Sequence, residues 1–362
     1  MSFAAVILAA GRSSRMGEFK PLLPLGDSTF AGQLIRLYRS AGISDLLVVT
    51  GRESDNLKAA LAENTISFRH NPDYAVTDML TSMKIGLAGI LEISEADAVF
   101  VGPVDIPLIT PYTVSTLLDA AAADPDAHVI LPEYQGKTGH PVLIRRSEIS
   151  SLLKWNGDGG LKAYLSENAG HVLTVPVPDP AIRMDADDHE AYDRLCGYLA
   201  RREIPDEARC AELWDFFGVP DKVRQHMRAV ADEARGMEEK LAEKGYVLNK
   251  NKIAAASLLH DLARVHPDHP NKAADWLRAL GHTGIEECVR VHMALPERYA
   301  HICEELIVFL ADKYRRGTER IPIRERYEEK IRKFTDLSAR ESAKAKLTEA
   351  LAFEAIYLEA VK

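Results

Sequence analysis

Short, fully apolar runs and amphipathic stretches alternate through the first two hundred residues and then give way to helical periodicity alone. Ala4–Leu8, Leu46–Thr50, Ala98–Val101, His128–Leu131 and Val142–Arg145 read as strands. A brief continuous apolar run suits a strand covered on both faces. Between them, Phe30–Ser40, Met79–Leu91 and Thr113–Ala123 repeat apolar positions at helical spacing, and Gly42 stops the first. Strands separated by helices predict an α/β domain, Rossmann-like, with a mostly parallel sheet. Past the stretch Ala200–Cys210 the strand-like runs disappear. The pattern therefore predicts two domains: an α/β domain over residues 1–203 and an all-α domain over 204–362.

Composition sharpens this division. The chain has 362 residues, 46% of them hydrophobic, and a net charge of −9. Residues 1–203 carry 18 Lys and Arg against 26 Asp and Glu, and residues 204–362 carry 27 against 28. This balance argues against nucleic acid as a partner. An anion bound in the acidic half needs local cations or a metal. The four cysteines have no CxxC spacing and fit a reducing compartment. The opening apolar stretch is too short for a signal peptide, and no run reaches the roughly 18 apolar residues of a membrane helix. The expectation is a soluble cytoplasmic protein without membrane contact. Seven of the twelve histidines lie after residue 220, and histidine is the commonest metal ligand.

The first strand leads into "LAAGRSSRMGEFKPLL", Leu8 to Leu23. A glycine-rich turn after a first strand is where open α/β sheets hold phosphates. The P-loop pattern fails because Glu18 follows Gly17, and the GxGxxG fingerprint is absent. Yet Arg12, Arg15 and Lys20 crowd one turn of an acidic domain, and fixed cations beside backbone donors suit a triphosphate. The stretch resembles the signature of the MobA-like nucleotidyltransferases, the molybdenum cofactor cytidylyltransferase type above all. The resemblance implies that Ala9, Ala10 and Gly11 contact the base and that Arg15 and Lys20 hold the phosphates. The LAAG spelling and the Pro21–Pro24 stretch favour CTP over other NTPs.

Further segments of the resemblance follow in order. "NPDYAVTDMLTSMKIGL" is similar to the family's base- and acceptor-holding segment, through Asn71, Met79 and Ser82, with Asp78 where the family has glycine. In "VGPVDIPLI", Asp105 ends a buried strand, where such sheets face their ligands; the resemblance makes it a magnesium ligand. "GHPVLI" and "GDGGLKAYL" match two further motifs. "IRMDADDHEAYDRL" matches the segment with two aspartates, Asp185 and Asp187, of which Asp185 is taken as the second Mg²⁺ ligand. The implied chemistry is in-line attack of a phosphorylated acceptor, such as a phosphorylated pterin, on the NTP α-phosphorus. Sugar- or alditol-phosphate transfer and non-catalytic nucleotide sensing are the alternatives.

In the second half, His226 sits at the edge of the apolar stripe Val219, Val223, Met227, Val230 and Ala234. "NKNKIAAASLLHDLARV" carries the adjacent His260 and Asp261, and "EELIVFLADKYRRG" carries Asp312 among apolar neighbours. This order resembles the HD-domain superfamily, which implies that His226, His260, Asp261 and Asp312 hold a divalent metal: Mn²⁺, Fe²⁺, Mg²⁺ or Zn²⁺. Arg264 stands where many relatives have lysine, and His269 and His292 fit positions for substrate phosphate or a second metal. The implied activity is phosphohydrolysis, with a sensing role left open. The charged helices after residue 320 suit packing of the domain or a homodimer.

Overall fold

The computed structural model describes residues 1–11 and 16–362. It divides into two compact units, Met1–Ala200 and Arg201–Lys362. Up to this division the chain runs β1 (Phe3–Ala9), the hairpin β2 (Pro24–Leu25) and β3 (Ser28–Thr29), α1 (Phe30–Ser40), β4 (Asp45–Thr50), α2 (Ser54–Ala60), β5 (Ser67–His70) and α3 (Met79–Ile93). There follow β6 (Ala98–Pro103), α4 (Pro111–Ala123), β7 (Val129–Tyr134), β8 (Lys137–Thr138), β9 (Val142–Arg145), α5 (Arg146–Lys154), α6 (Gly160–Glu167), β10 (Val172–Pro176) and α7 (His189–Arg202).

The main sheet has the order β10-β7-β9-β6-β1-β4-β5, with β8 beside β7. β1 lies between β4 and β6, parallel to both, and β4 is parallel to β5. β9 runs antiparallel between β6 and β7, so the sheet is mixed rather than uniformly parallel. The apolar run of β1 is explained by its two faces. Ala5, Ile7 and Ala9 join one core, with α1 and α4. Ala4, Val6, Leu8 and Ala10 join another, with α3 and α5. A strand walled in by helices on both sides has no solvent face to keep polar.

Local signals set the helix ends. The Thr29 hydroxyl accepts from Gly32 N at 3.2 Å to start α1, and Gly42, at φ +78°, lets the chain leave it. α3 starts at Asp78 and α4 at Thr110, followed by Pro111. Gly86 brings α3 onto the sheet, since a Cβ there would lie 2.4 Å from Val6 Cγ1 and 2.8 Å from Val49 Cγ2. That close approach packs the middle of α3 against β1 and β4.

The second unit is helical: α8 (Glu207–Phe216), α9 (Asp221–Glu243), α10 (Lys250–Leu259), α11 (His269–Ala279), α12 (Glu286–Val291), α13 (Glu304–Lys313), the small hairpin β11 (Arg315–Arg316) and β12 (Glu319–Arg320), α14 (Ile323–Lys333) and α15 (Leu337–Ala360). α9 buries Met227, Val230, Ala234, Met237 and Leu241 along one stripe. α13 is buried from Glu305 to Lys313 and packs against α9, α10, α12 and α15. A helix enclosed on every side must be apolar all round, and its polar residues need partners. Among the described residues no helix is long and apolar enough to cross a membrane.

Candidate functional site

At the carboxyl end of β1 the first unit opens a cavity of about 420 Å³, lined by Ala9, Ala10, Gly11, Lys20, Tyr74, Asp78, Ser82, Asp105 and Asp187 among others. Backbone bonds bring these residues together. Val104 N donates to Leu8 O at 3.0 Å, extending the β6–β1 pairing and carrying Asp105 to the cavity edge. Ala186 N donates to Asp105 O at 3.1 Å, which brings the 185–187 segment alongside. Lys20 Nζ then lies 3.4 Å from Asp105 Oδ2 and 3.1 Å from Asp187 Oδ1. Partial desolvation and the charges of Asp187 and Asp105 push the exposed Asp185 carboxyl above the usual range, against the pull of Lys20. Asp105 and Asp187 thus converge on Lys20 with Asp185 close by, and carboxylates gathered in this way suit a divalent cation. Asp187 lines the cavity and faces Lys20, whereas Asp185 is outside the lining.

On the far side of β1, the buried Asn71 donates from Nδ2 to Ser82 Oγ at 3.0 Å and to Thr77 Oγ1 at 3.1 Å. Its Oδ1 accepts from Asp73 N at 3.0 Å. Asn71 is therefore spent on the turn that precedes α3 and does not line the cavity, while Ser82 does. Tyr74, Thr77 and Asp78 line it as well. Pattern reasoning passed over Tyr74 and Thr77 because single polar residues in a loop carry no periodicity. Arg12 and Arg15 lie outside the described residues.

The second unit gathers its histidines around Asp261. His226 Nε2 lies 3.2 Å from Asp312 Oδ1 and 4.0 Å from Asp261 Oδ2. His260 Nε2 is 3.7 Å from Asp261 Oδ2, and His269 Nε2 and His292 Nε2 are 3.2 Å and 3.5 Å from Asp261 Oδ1. Two sets of potential ligand atoms converge: His226, His260 and Asp261, and Asp261, His269 and His292. Asp312 adjoins the first.

The ring orientations follow from helix ends. His260 and His292 cap α10 and α12, and each Nδ1–H donates to the carbonyl three residues back, Ser257 O at 2.8 Å and Val289 O at 2.6 Å. His226 Nδ1 likewise meets Gly317 O at 2.9 Å. A ring that donates from Nδ1 keeps its Nε2 lone pair for the centre. The buried Nε2 of His260 and His292 and Oδ1 of Asp261 have no hydrogen-bond partner among the described residues. Arg264 donates to His269 Nε2 at 3.1 Å, so that nitrogen too is an acceptor facing Asp261. Acceptors facing acceptors in a buried site call for a cation between them. The donor set, imidazole nitrogens and carboxylates, fits a first-row divalent metal.

Electrostatics agree. Burial holds His260 down at about 4, so it stays neutral and able to ligate. Burial also opposes charge on His226, but the hydrogen bond and charge of Asp312 outweigh it and raise its pKa. Lys313 was not anticipated from the sequence: it is buried on α13, and Nζ donates to Asp312 Oδ2 at 2.7 Å and to His292 O at 2.8 Å. It fixes one carboxylate oxygen and leaves Oδ1 toward His226.

Two family models match the chain. Residues 5–172 match the family model of the MobA-like NTP transferase domain, and residues 223–317 that of the HD domain. The molybdenum cofactor cytidylyltransferase of Escherichia coli K12 is 29% identical over 187 residues, 49% of this chain and 92% of that protein. The bifunctional protein GlmU of Agrobacterium fabrum is 30% identical over 161 residues, 42% of this chain and 34% of that protein. Among solved structures, Rv0371c of Mycobacterium tuberculosis H37Rv is 26% identical at a TM-score of 0.47, covering 54% of this chain and 99% of that one. The chain thus carries a MobA-like NTP transferase domain followed by an HD domain.

Proposed function

We propose that the first domain transfers CMP from CTP to a phosphorylated acceptor of the pterin cofactor type, releasing pyrophosphate, and that the HD domain hydrolyses a phosphate ester. The carrying observation is the Lys20–Asp105–Asp187 cluster at the mouth of a cavity of about 420 Å³, with uncharged backbone from Ala9 to Gly11 beside it. Asp105 and Asp187 would hold a magnesium ion, with Asp185 adding charge nearby. When bound, the ion neutralises phosphate charge and orients the reacting phosphates.

The chain's own residues supply positioning. An acceptor phosphate oxygen attacks the α-phosphorus of CTP, the bond to the bridging β-phosphate oxygen breaks, and pyrophosphate leaves. Lys20 stabilises the charge that grows on the leaving group. Arg12 and Arg15, a few positions before Lys20 in the sequence, are proposed to add further cations. Ala9, Ala10 and Gly11 let the base and ribose lie against backbone, and Ser82 closes the other wall. No side-chain nucleophile is required. Confinement in one cavity brings attacking and leaving oxygens into line.

In the HD domain, His226, His260, Asp261 and Asp312 would hold a divalent ion, and His269 and His292 a second ion or a phosphate. When bound, such an ion supplies Lewis acidity toward a phosphate ester. The Nδ1–H bonds keep the imidazoles oriented, and Arg264 stands at the rim with a half-exposed side chain, placed for an anionic group. The test is pyrophosphate release by the full chain across a panel of NTPs and phosphorylated acceptors. CTP with a phosphorylated pterin is expected to turn over in wild type and to fall below a hundredth of that rate in Asp105→Asn. Unchanged turnover in the variant removes Asp105 from the reaction, and a panel without any turnover overturns the transferase reading.

A further inference from the structure

We infer that Asp78 selects the nucleobase: its carboxylate accepts from an exocyclic amino group, as cytosine carries, and rejects uracil. The inference rests on the nucleotide reading of the first cavity. The sheet order separates two walls of that cavity. Asp105 follows β6 on one side of β1, and the segment leading to α3 follows β5 on the other, beyond β4. Lys20, Asp105 and Asp187 concentrate charge on the β6 side, where a triphosphate belongs. The remaining wall, Tyr74, Thr77, Asp78, Met79 and Ser82, is left for the uncharged end of the nucleotide. Tyr74 packs there against Gly51, the residue after β4: a Cβ added to Gly51 would lie 2.8 Å from Tyr74.

Within that wall Asp78 is the only charged side chain among the described lining residues. Its Oδ1 caps α3, accepting from Thr81 N at 2.9 Å and Thr81 Oγ1 at 2.8 Å. A cap consumes one oxygen. Oδ2 takes part in neither bond, and Asp78 is an exposed residue of the cavity lining. The Thr81 backbone N–H leads the effects that hold this carboxyl below its ordinary value, so it stays ionised at neutral pH. An ionised carboxylate only accepts. Cytosine presents a donating N4 amino group at the edge where uracil presents the acceptor O4. A carboxylate oxygen facing O4 leaves two acceptors opposed, and a polar site that loses its partner in this way discriminates strongly.

A plain helix cap makes a different prediction, because asparagine caps as well as aspartate. In Asp78→Asn the amide oxygen can keep the Thr81 bonds, and the NH₂ then stands where Oδ2 stood, a donor in place of an acceptor. The experiment is calorimetric titration of the full chain with CTP and with UTP in the presence of Mg²⁺, for wild type, Asp78→Asn and Asp78→Gly. Wild type is expected to bind CTP roughly tenfold to a hundredfold more tightly than UTP. In Asp78→Asn the preference is expected to vanish or invert, and in Asp78→Gly to shrink toward parity. Equal affinities in wild type, or a CTP preference that survives both substitutions, overturn the inference and leave the nucleotide site standing. If wild type binds neither nucleotide, the reading of the cavity falls and takes the inference with it.

Discussion

Acidification should loosen the second domain through His282, a side chain outside both candidate sites. His282 is buried, its Nδ1–H donates to Arg202 O at 2.6 Å, and its Nε2 has no partner among the described residues. Burial lowers its pKa from 6.5 to about 4. Between these values the unfolded chain binds a proton that the folded chain refuses, so stability rises with pH across the window. The contribution is fully present above the unfolded value and is lost as pH falls toward the folded one. Over the whole window the shift corresponds to about 3 kcal/mol, and between about pH 7.5 and about pH 5 to about 2 kcal/mol. Acidification acts on the rest of the chain as well, so the informative quantity is a difference. His282→Asn keeps a donor for Arg202 O and removes the titration. Urea unfolding of the full chain, followed by tryptophan fluorescence, reports chiefly this unit because two of the three tryptophans, Trp214 and Trp276, lie in it. The variant should be less stable than wild type at neutral pH, since the smaller side chain leaves a void. On acidification, wild type should lose about 2 kcal/mol more than the variant. Parallel losses in the two proteins would refute the assignment.

Two further substitutions probe how the sites are supported. Gly86→Ala puts a methyl group 2.4 Å from Val6 Cγ1, and it should cost about 1–3 kcal/mol by pushing α3 off the sheet; an unchanged melting temperature would contradict this. Lys313→Met removes the ammonium that holds Asp312 Oδ2 and His292 O, and should weaken Mn²⁺ binding by about tenfold to a hundredfold. Electron paramagnetic titration of the full chain measures that directly, and wild-type affinity in the variant would remove Lys313 from the metal site's support.

The elements most legible from pattern are those with a single environment. β1, β4 and β6 are apolar on both faces, and α1 and α3 carry clear caps. β5 was not legible, since Ser67–His70 is a half-exposed edge strand with no apolar run. β10 was hidden for the same reason, with alternating exposure and a terminal proline. The antiparallel course of β9 could not be read at all, because a buried Val-Leu-Ile run looks the same in either direction. In the second domain the order His226, His260–Asp261, Asp312 identified residues that the fold gathers, as helical spacing and buried polarity converge on one place. The preference for Asp185 over Asp187 rested on resemblance alone. Which of two aspartates two residues apart turns toward Lys20 depends on backbone bonds such as Ala186 N to Asp105 O, invisible in a linear chain. Lys313 was missed because a buried lysine is read as a solvated one until its neighbours are known.

Crystals of the full chain soaked with Mn²⁺ and CTP offer the most direct measurement, through anomalous scattering at the manganese edge. The account predicts one peak between Asp105 and Asp187 with the triphosphate reaching Lys20, and another among His226, His260, Asp261 and Asp312. Nucleotide bound away from Lys20, or manganese absent from both clusters, would contradict it.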